Sequence, residues 1–349
     1  MSRELDSLDT QDAESNEYRR MIKSIQAKLI ESIREQDATQ EQIQSFKETI
    51  SKIQRELSQR PHVDFQLNLP PLIFDNNFIQ IEKTNVSFRL QSTVHSVLKT
   101  QAVSSDECIV MTNNSRYLLF GNQGNLCLCD KNLIMIKQTP WIHGCIRDMC
   151  YSNALARFIL LAENGMFTLN EETMNIEEGK VSPKAKQSWR CCASTNQRLF
   201  LTSGESHRVV QEYVYVEDAY SRKRKHLCCT QNEYIEHIKC SNDDKLALII
   251  LNDSDNERRL DLRSIEDFHQ LWTISLQIHK KVNIISCCAL NDKSWLIVNL
   301  AENLLIHVTA QGEIKQTKSY HPSPQYAVQF DNKLLTILTD QSIRLHEIQ

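Results

Sequence analysis

The stretch Ile284-Ile285-Ser286-Cys287-Cys288-Ala289-Leu290-Asn291 is followed, across Asp292-Lys293, by Ser294-Trp295-Leu296-Ile297-Val298-Asn299-Leu300. A third apolar run, Leu304-Leu305-Ile306-His307-Val308, comes after the polar break Ala301-Glu302-Asn303. Short apolar runs bounded by turn residues read as buried strands, and three in close succession read as an antiparallel meander.

Aligned on Cys288, the same meander returns along most of the chain. The first strand of each unit ends near Met111, Cys150, Cys192, Cys240, Cys288 and Phe330, at steps of 39, 42, 48, 48 and 42 residues. An asparagine follows each time: Asn113, Asn153, Asn196, Asn242, Asn291 and Asn332. Second strands such as Phe158-Ile159-Leu160-Leu161 and Leu246-Ala247-Leu248-Ile249-Ile250 come next, then a third strand and a more polar fourth, as in Leu271-Trp272-Thr273-Ile274. A period of roughly 40–50 residues holding four short strands is that of a β-propeller blade.

Six units fit, and the last runs out of chain after its third strand at Gln349. The apolar alternation of Val86-Ser87-Phe88-Arg89-Leu90 predicts that a strand near 86–90 supplies the missing fourth, because an open ring would leave strand edges exposed. The recurring Cys150, Cys192, Cys240 and Cys288 read as equivalent small apolar positions on the crowded inner strands. The absence of any C-x-x-C pair among the 12 cysteines argues against zinc modules and a disulfide framework, so no metal or cofactor is expected.

Upstream, the pattern changes period. Ile22, Leu29, Ile43, Ile50 and Leu57 share one heptad position, and Tyr18, Ile25, Phe46 and Ile53 share the other. Steps of three and four give the 3.5-residue repeat of a left-handed coiled coil. Gln36, Ser32 and Thr39 make its centre polar, and Pro61 ends it. A lone amphipathic helix would show a wider apolar stripe than two positions per heptad. The expected organisation is a disordered segment over 1–14, a coiled coil over 15–60, an extended linker containing Pro70-Pro71 over 61–84 and a propeller over 85–349. The fold class is thus mainly β: a six-bladed propeller preceded by a long N-terminal coiled-coil helix. Ile22, Ile25, Leu29, Ile43, Phe46, Ile50, Ile53 and Leu57 are the expected oligomerisation residues.

Bulk properties narrow the function classes. A formal net charge of -4 gives no global attraction to nucleic acid or anionic membrane. No apolar run is long enough to span a bilayer, and the polar start Met1-Ser2-Arg3-Glu4 is unlike a secretory signal, so a cytoplasmic or nuclear protein is expected. Seven glycines leave little material for phosphate-cradling loops, and no P-loop or dinucleotide fingerprint occurs. The basic run Arg222-Lys223-Arg224-Lys225 reads as a connection inside the third unit, either a solvated loop or a nucleic-acid or nuclear-import contact. The 11 histidines are scattered, with His143, His207, His279 and His307 near strand ends, and no nucleophile–base motif accompanies them.

In layout, the chain resembles the tripartite-motif proteins that carry NHL-type propellers: a coiled coil, a Pro-Pro linker, then six blades. Neither the Asn-His-Leu signature nor the Trp-Asp pair of WD-type blades is present, and the RING and B-box zinc modules of that family are missing. The resemblance implies a division of labour in which the coiled coil assembles and the propeller recruits, without ligase activity. The expectation is a non-enzymatic adaptor that binds proteins and forms homo-oligomers. An RNA-binding propeller using residues 222–225 is the alternative, and a channel-centred hydrolase ranks behind both.

Overall fold

The computed structural model describes residues 88–348, apart from 104–109, 164, 182–187, 205–206, 217–218, 279–284 and 331–332. The heptad segment and the linker therefore lie outside the described residues. Among the described residues the chain forms one short helix and 24 strands arranged as six four-stranded antiparallel sheets, a six-bladed propeller.

The chain enters through α1 (Leu90–His95) and β1 (Val97–Ala102). Blade 1 holds β2 (Met111–Asn113), β3 (Leu118–Asn122), β4 (Asn125–Cys129) and β5 (Met135–Pro140). Blade 2 holds β6 (Ile146–Ser152), β7 (Arg157–Ala162), β8 (Gly165–Leu169) and β9 (Ile176–Glu178). Blade 3 holds β10 (Trp189–Ser194), β11 (Arg198–Ser203), β12 (Val209–Val216) and β13 (Ala219–Leu227). Blade 4 holds β14 (Glu233–Cys240), β15 (Lys245–Asn252), β16 (Glu257–Ser264) and β17 (Gln270–Ser275). Blade 5 holds β18 (Ile285–Ala289), β19 (Trp295–Asn299), β20 (Leu304–Val308) and β21 (Ile314–Ser319). Blade 6 holds β22 (Pro324–Gln329), β23 (Leu334–Thr339) and β24 (Ser342–Glu347), with β1 as its outermost strand.

The second strand of each blade is apolar on both faces because both faces are covered. On β15, Leu246, Leu248 and Ile250 pack with Cys191, Ala193 and Phe200 of blade 3. The intervening Ala247 and Ile249 pack with Cys287, Trp295 and Ile297 of blade 5. Strand alternation sends successive side chains to opposite neighbours, and each buried Leu or Ile contributes about 1.5–3 kcal/mol. The outer strands have no such partner: Met135, Ile136, Leu271 and Ile314 remain exposed.

Closure occurs later than the apolar alternation suggests. The strand that completes blade 6 is Val97–Ala102, with Thr100 opposite Arg344 and Gln101 opposite Ile343, instead of a strand near 86–90. Phe88 and Leu90 are indeed buried, among Cys288, Leu296, Leu335 and Ile337, but Leu90 begins a helix. That helix is pinned by His346 Nδ1 at 3.0 Å from the Thr93 carbonyl. The true closing strand is exposed along almost its whole length, so its sequence carries little apolar signal.

Candidate functional site

The inner strands β2, β6, β10, β14, β18 and β22 surround a central channel, and strand pairing shows which side chains share a level. Register shifts at Arg147, Arg190, Glu236 and Gln325 each insert one extra residue, as β-bulges do. The residue after each bulge is Asp148, Cys191, His237 or Tyr326. Together with Val110 and Ser286 they line one end of the channel, bounding a cavity of about 300 Å³. Two residues further on, alternation brings Thr112, Cys150, Ala193, Lys239, Cys288 and Val328 to the wall of a cavity of about 370 Å³ at the other end.

This arrangement corrects the reading of the cysteines. Cys150 and Cys288 share a level, but the blade 4 residue there is Lys239, and in blade 3 it is Ala193. Cys192 turns away to pack with Ile159 and Leu161 of blade 2. The bulges shift the register within individual blades, so an alignment on cysteine alone equates positions that differ by one residue. All the cysteines among the described residues are free thiols.

Between the two cavities, side chains of alternate blades meet. Tyr326 Oη of blade 6 lies 2.9 Å from His237 Nε2 of blade 4 and 3.2 Å from Asp148 Oδ1 of blade 2. The backbone N–H of Cys287 donates to His237 Nδ1 at 3.3 Å, which fixes that nitrogen as an acceptor. The proton therefore sits on Nε2, His237 donates to the tyrosine oxygen, and the tyrosine hydroxyl donates to the carboxylate. Asp148 also accepts from Met149 N at 2.8 Å and Cys192 N at 2.7 Å. Five blades are thereby joined through one buried network.

Its electrostatics follow from burial. Removal from water pushes the Asp148 carboxyl up to about 6, although the amides of Cys192 and Met149, Lys239 and Tyr326 pull the other way. Burial, assisted by Lys239, takes His237 down to about 3. Burial also raises the thiols of Cys191, Cys287 and Cys288, so they stay protonated. A thiol acts as a nucleophile through its thiolate; the Cys287 Sγ lies 3.4 Å from His237 Nδ1, the nitrogen that also accepts from the Cys287 amide, and burial keeps that thiol protonated.

The rim of the larger cavity accounts for the recurring asparagines. Asn153 Nδ2 donates to Asn196 Oδ1 at 2.8 Å, Asn242 Nδ2 to Asn291 Oδ1 at 3.2 Å, and Asn113 Nδ2 to the Gln329 carbonyl at 2.9 Å. Each bond crosses a blade junction, so the repeated Asn is an interblade clasp.

The basic run stands elsewhere, and in a strand instead of a loop. Arg222, Lys223, Arg224 and Lys225 belong to β13, the outermost strand of blade 3. Part of its charge is absorbed by Glu212, whose buried carboxylate meets Arg224 Nε at 2.6 Å, His226 Nε2 at 2.9 Å, Arg198 Nη1 at 3.2 Å and Lys223 Nζ at 3.5 Å. Burial alone would raise the Glu212 carboxyl, but the bonds from Arg224 and His226 outweigh it and the net shift is downward. Arg222 and Lys225 form no ion pair among the described residues. The predicted oligomerisation residues, Ile22 to Leu57, lie outside the described residues.

Of the histidines near strand ends, His307 is buried against Phe88 and 2.9 Å from Ser294 Oγ. His143 lies over Phe167, and His207 is beside Arg190. His279 lies outside the described residues. The residues that sequence reasoning missed are Asp148, His237, Tyr326 and Lys239. The available signal was the polar residue inside each apolar inner strand, in Ile146-Arg147-Asp148-Met149 and Ile235-Glu236-His237-Ile238.

No protein-family model matches the chain, and no curated protein matches it. Among the described residues no helix is long and apolar enough to cross a membrane.

Proposed function

We propose that this chain is a non-enzymatic adaptor whose propeller recruits partner proteins and whose heptad segment brings copies together. The observation that carries this reading is the crossing of the channel by Asp148, Tyr326 and His237. Channel-centred chemistry needs an open cavity with an activated group, and this channel offers satisfied polar groups with protonated thiols around them. What remains available is a pair of recessed mouths ringed by loops, a form suited to receiving a protruding segment of another protein.

Affinity capture from cell extract with the full chain, with and without nuclease, tests the recruiting half. Specific proteins retained after nuclease treatment are the expected result. Loss of all of them on nuclease treatment would transfer the assignment to RNA and to Arg222 and Lys225 on β13. For the assembling half, Ile50→Asp with Ile53→Asp places two charges in the predicted seam. Light scattering should then give the monomer mass, and an unchanged mass would remove oligomerisation from the proposal.

A further inference from the structure

Among the described residues, the wall of the larger mouth holds one cation and no anion. Lys239 is half-buried on β14, at the level of Thr112, Cys150, Ala193, Cys288 and Val328. It lines the cavity beside Cys150, Cys240 and Cys288, and its charge opposes the upward shift of Asp148 and adds to the downward shift of His237. Among the described residues it forms no salt bridge. The rest of the described wall is amide, hydroxyl, thiol, aliphatic and aromatic, supplied by residues such as Asn113, Asn153, Asn242, Asn291, Tyr151 and Phe330.

The neighbouring acids do not neutralise it. Asp148 lies one level deeper, and its two oxygens already accept from Met149, Cys192 and Tyr326. At the rim, Asp243 is held by Lys245 and Ser241, and Asp292 by Phe88 N and Ser294. Asp244, exposed on the same turn, is outside the wall. A half-buried charge in a neutral recess interacts with an incoming counter-charge more strongly than a surface lysine does, and salt screens it less.

We infer that this mouth binds a single carboxylate, presented by an acidic side chain of a partner protein. A lysine is a point charge with three donors, suited to one monoanionic group. A phosphate dianion would keep half its charge uncompensated, and planar two-point recognition calls for arginine. The cavity, about 370 Å³, admits a side chain with part of its backbone. The partner-borne source rests on the adaptor reading, whereas the carboxylate chemistry does not.

The probes are N-acetyl-glutamate methylamide, its glutamine analogue and free glutarate, each followed by saturation-transfer NMR on the full chain. Saturable binding of the glutamate compound is expected, with none for the glutamine compound. Lys239→Gln should weaken it about tenfold or more, and Lys239→Arg should retain it. Circular dichroism and thermal midpoints confirm that both variants fold. Equal signals from the glutamate and glutamine compounds, no signal from either, or undiminished binding in Lys239→Gln would overturn the site. Binding of glutarate without the glutamate compound would overturn the partner-borne source and assign the mouth to a free dicarboxylic acid. Repeating the affinity capture with Lys239→Gln separates the two readings. Partners held equally by both chains would sink this inference and leave the adaptor standing. An empty capture beside Lys239-dependent carboxylate binding would sink the adaptor and, with it, the partner-borne source.

Discussion

His237 on blade 4 and Tyr326 on blade 6 meet within 2.9 Å across the central channel, with blade 5 between them on the ring. The contact is part of a directional series: Cys287 N–H to His237, His237 to Tyr326, and Tyr326 to Asp148. Each group is buried, so each bond replaces one that water would otherwise supply.

Tyr326→Phe removes one hydroxyl and leaves two groups short of a partner, the His237 N–H and an Asp148 oxygen. The cost should be about 1–3 kcal/mol, because a buried polar group left without a partner bears its desolvation penalty uncompensated. Urea unfolding of the two chains measures it. An unchanged midpoint would mean that water reaches the channel centre and substitutes for the hydroxyl.

Three buried histidines predict acid lability. Burial holds His237 down to about 3, and His307 and His346 down to about 4. The unfolded chain takes up protons near pH 6.5 that the folded chain refuses, so their contribution is complete above 6.5 and is lost as pH falls through about 4. A tenfold change in proton affinity corresponds to ~1.4 kcal/mol, so His307 and His346 each contribute roughly 3 kcal/mol and His237 roughly 5 kcal/mol. Asp148 has the opposite sign: raised to about 6, it favours the fold most below its unfolded value and loses that contribution as pH rises through 6. Three groups outweigh one, so stability should fall between pH 6.5 and 4.5 in urea titrations. His237→Gln should flatten that slope, and a slope unaffected by the substitution would show that another group dominates.

The closing strand is open to a direct test. A chain beginning at Phe88 keeps α1 and β1 and should give a soluble propeller. A chain beginning at Val103 lacks β1, so β24 presents an unpaired edge, which invites association with other copies. Size-exclusion chromatography should show aggregates for the shorter chain alone. Monodisperse behaviour of both would deny β1 its role in closure.

Glu212 organises the outer half of blade 3. Glu212→Gln leaves Arg198, Arg224 and Lys223 around a neutral amide and should lower stability by about 1–3 kcal/mol, since the cations are partly solvated. The loss should shrink at high salt, where repulsion among the cations is screened. Equal losses at low and high salt would point to packing as the cause.

The blades were legible in the sequence because runs such as Leu246–Ile250 are apolar on two faces, a demand that only flanking sheets impose. Closure was not, because an exposed outer strand such as Val97–Ala102 has no burial to write into its residues, while the buried Phe88 and Leu90 imitate a strand's alternation. The channel was hidden for a different reason. Its lining comes one residue per blade from six distant segments, and the bulges at Arg147, Arg190 and Glu236 displace the register by one. An alignment on Cys150, Cys192, Cys240 and Cys288 therefore passed over Lys239. The run 222–225 looked like a loop because strands with consecutive charges are uncommon, yet an outermost strand tolerates them and lysine there discourages edge pairing.

The interblade clasps and the channel network have a geometric consequence when taken together. Among the recurring asparagines, Asn113, Asn153 and Asn242 donate across junctions between blades 1 and 6, 2 and 3, and 4 and 5. The side chains that reach the axis come from blades 2, 4 and 6, one from each of those pairs. Bonds cross the other junctions too, from Asn114 to Glu171, from Arg198 to the Ile265 carbonyl and from the Asn291 amide to Gln329, so the ring is joined all round while three alternate blades also meet at the hub. A hub tied by Asp148, Tyr326 and His237 sets the distance between alternate blades from within, independently of the rim.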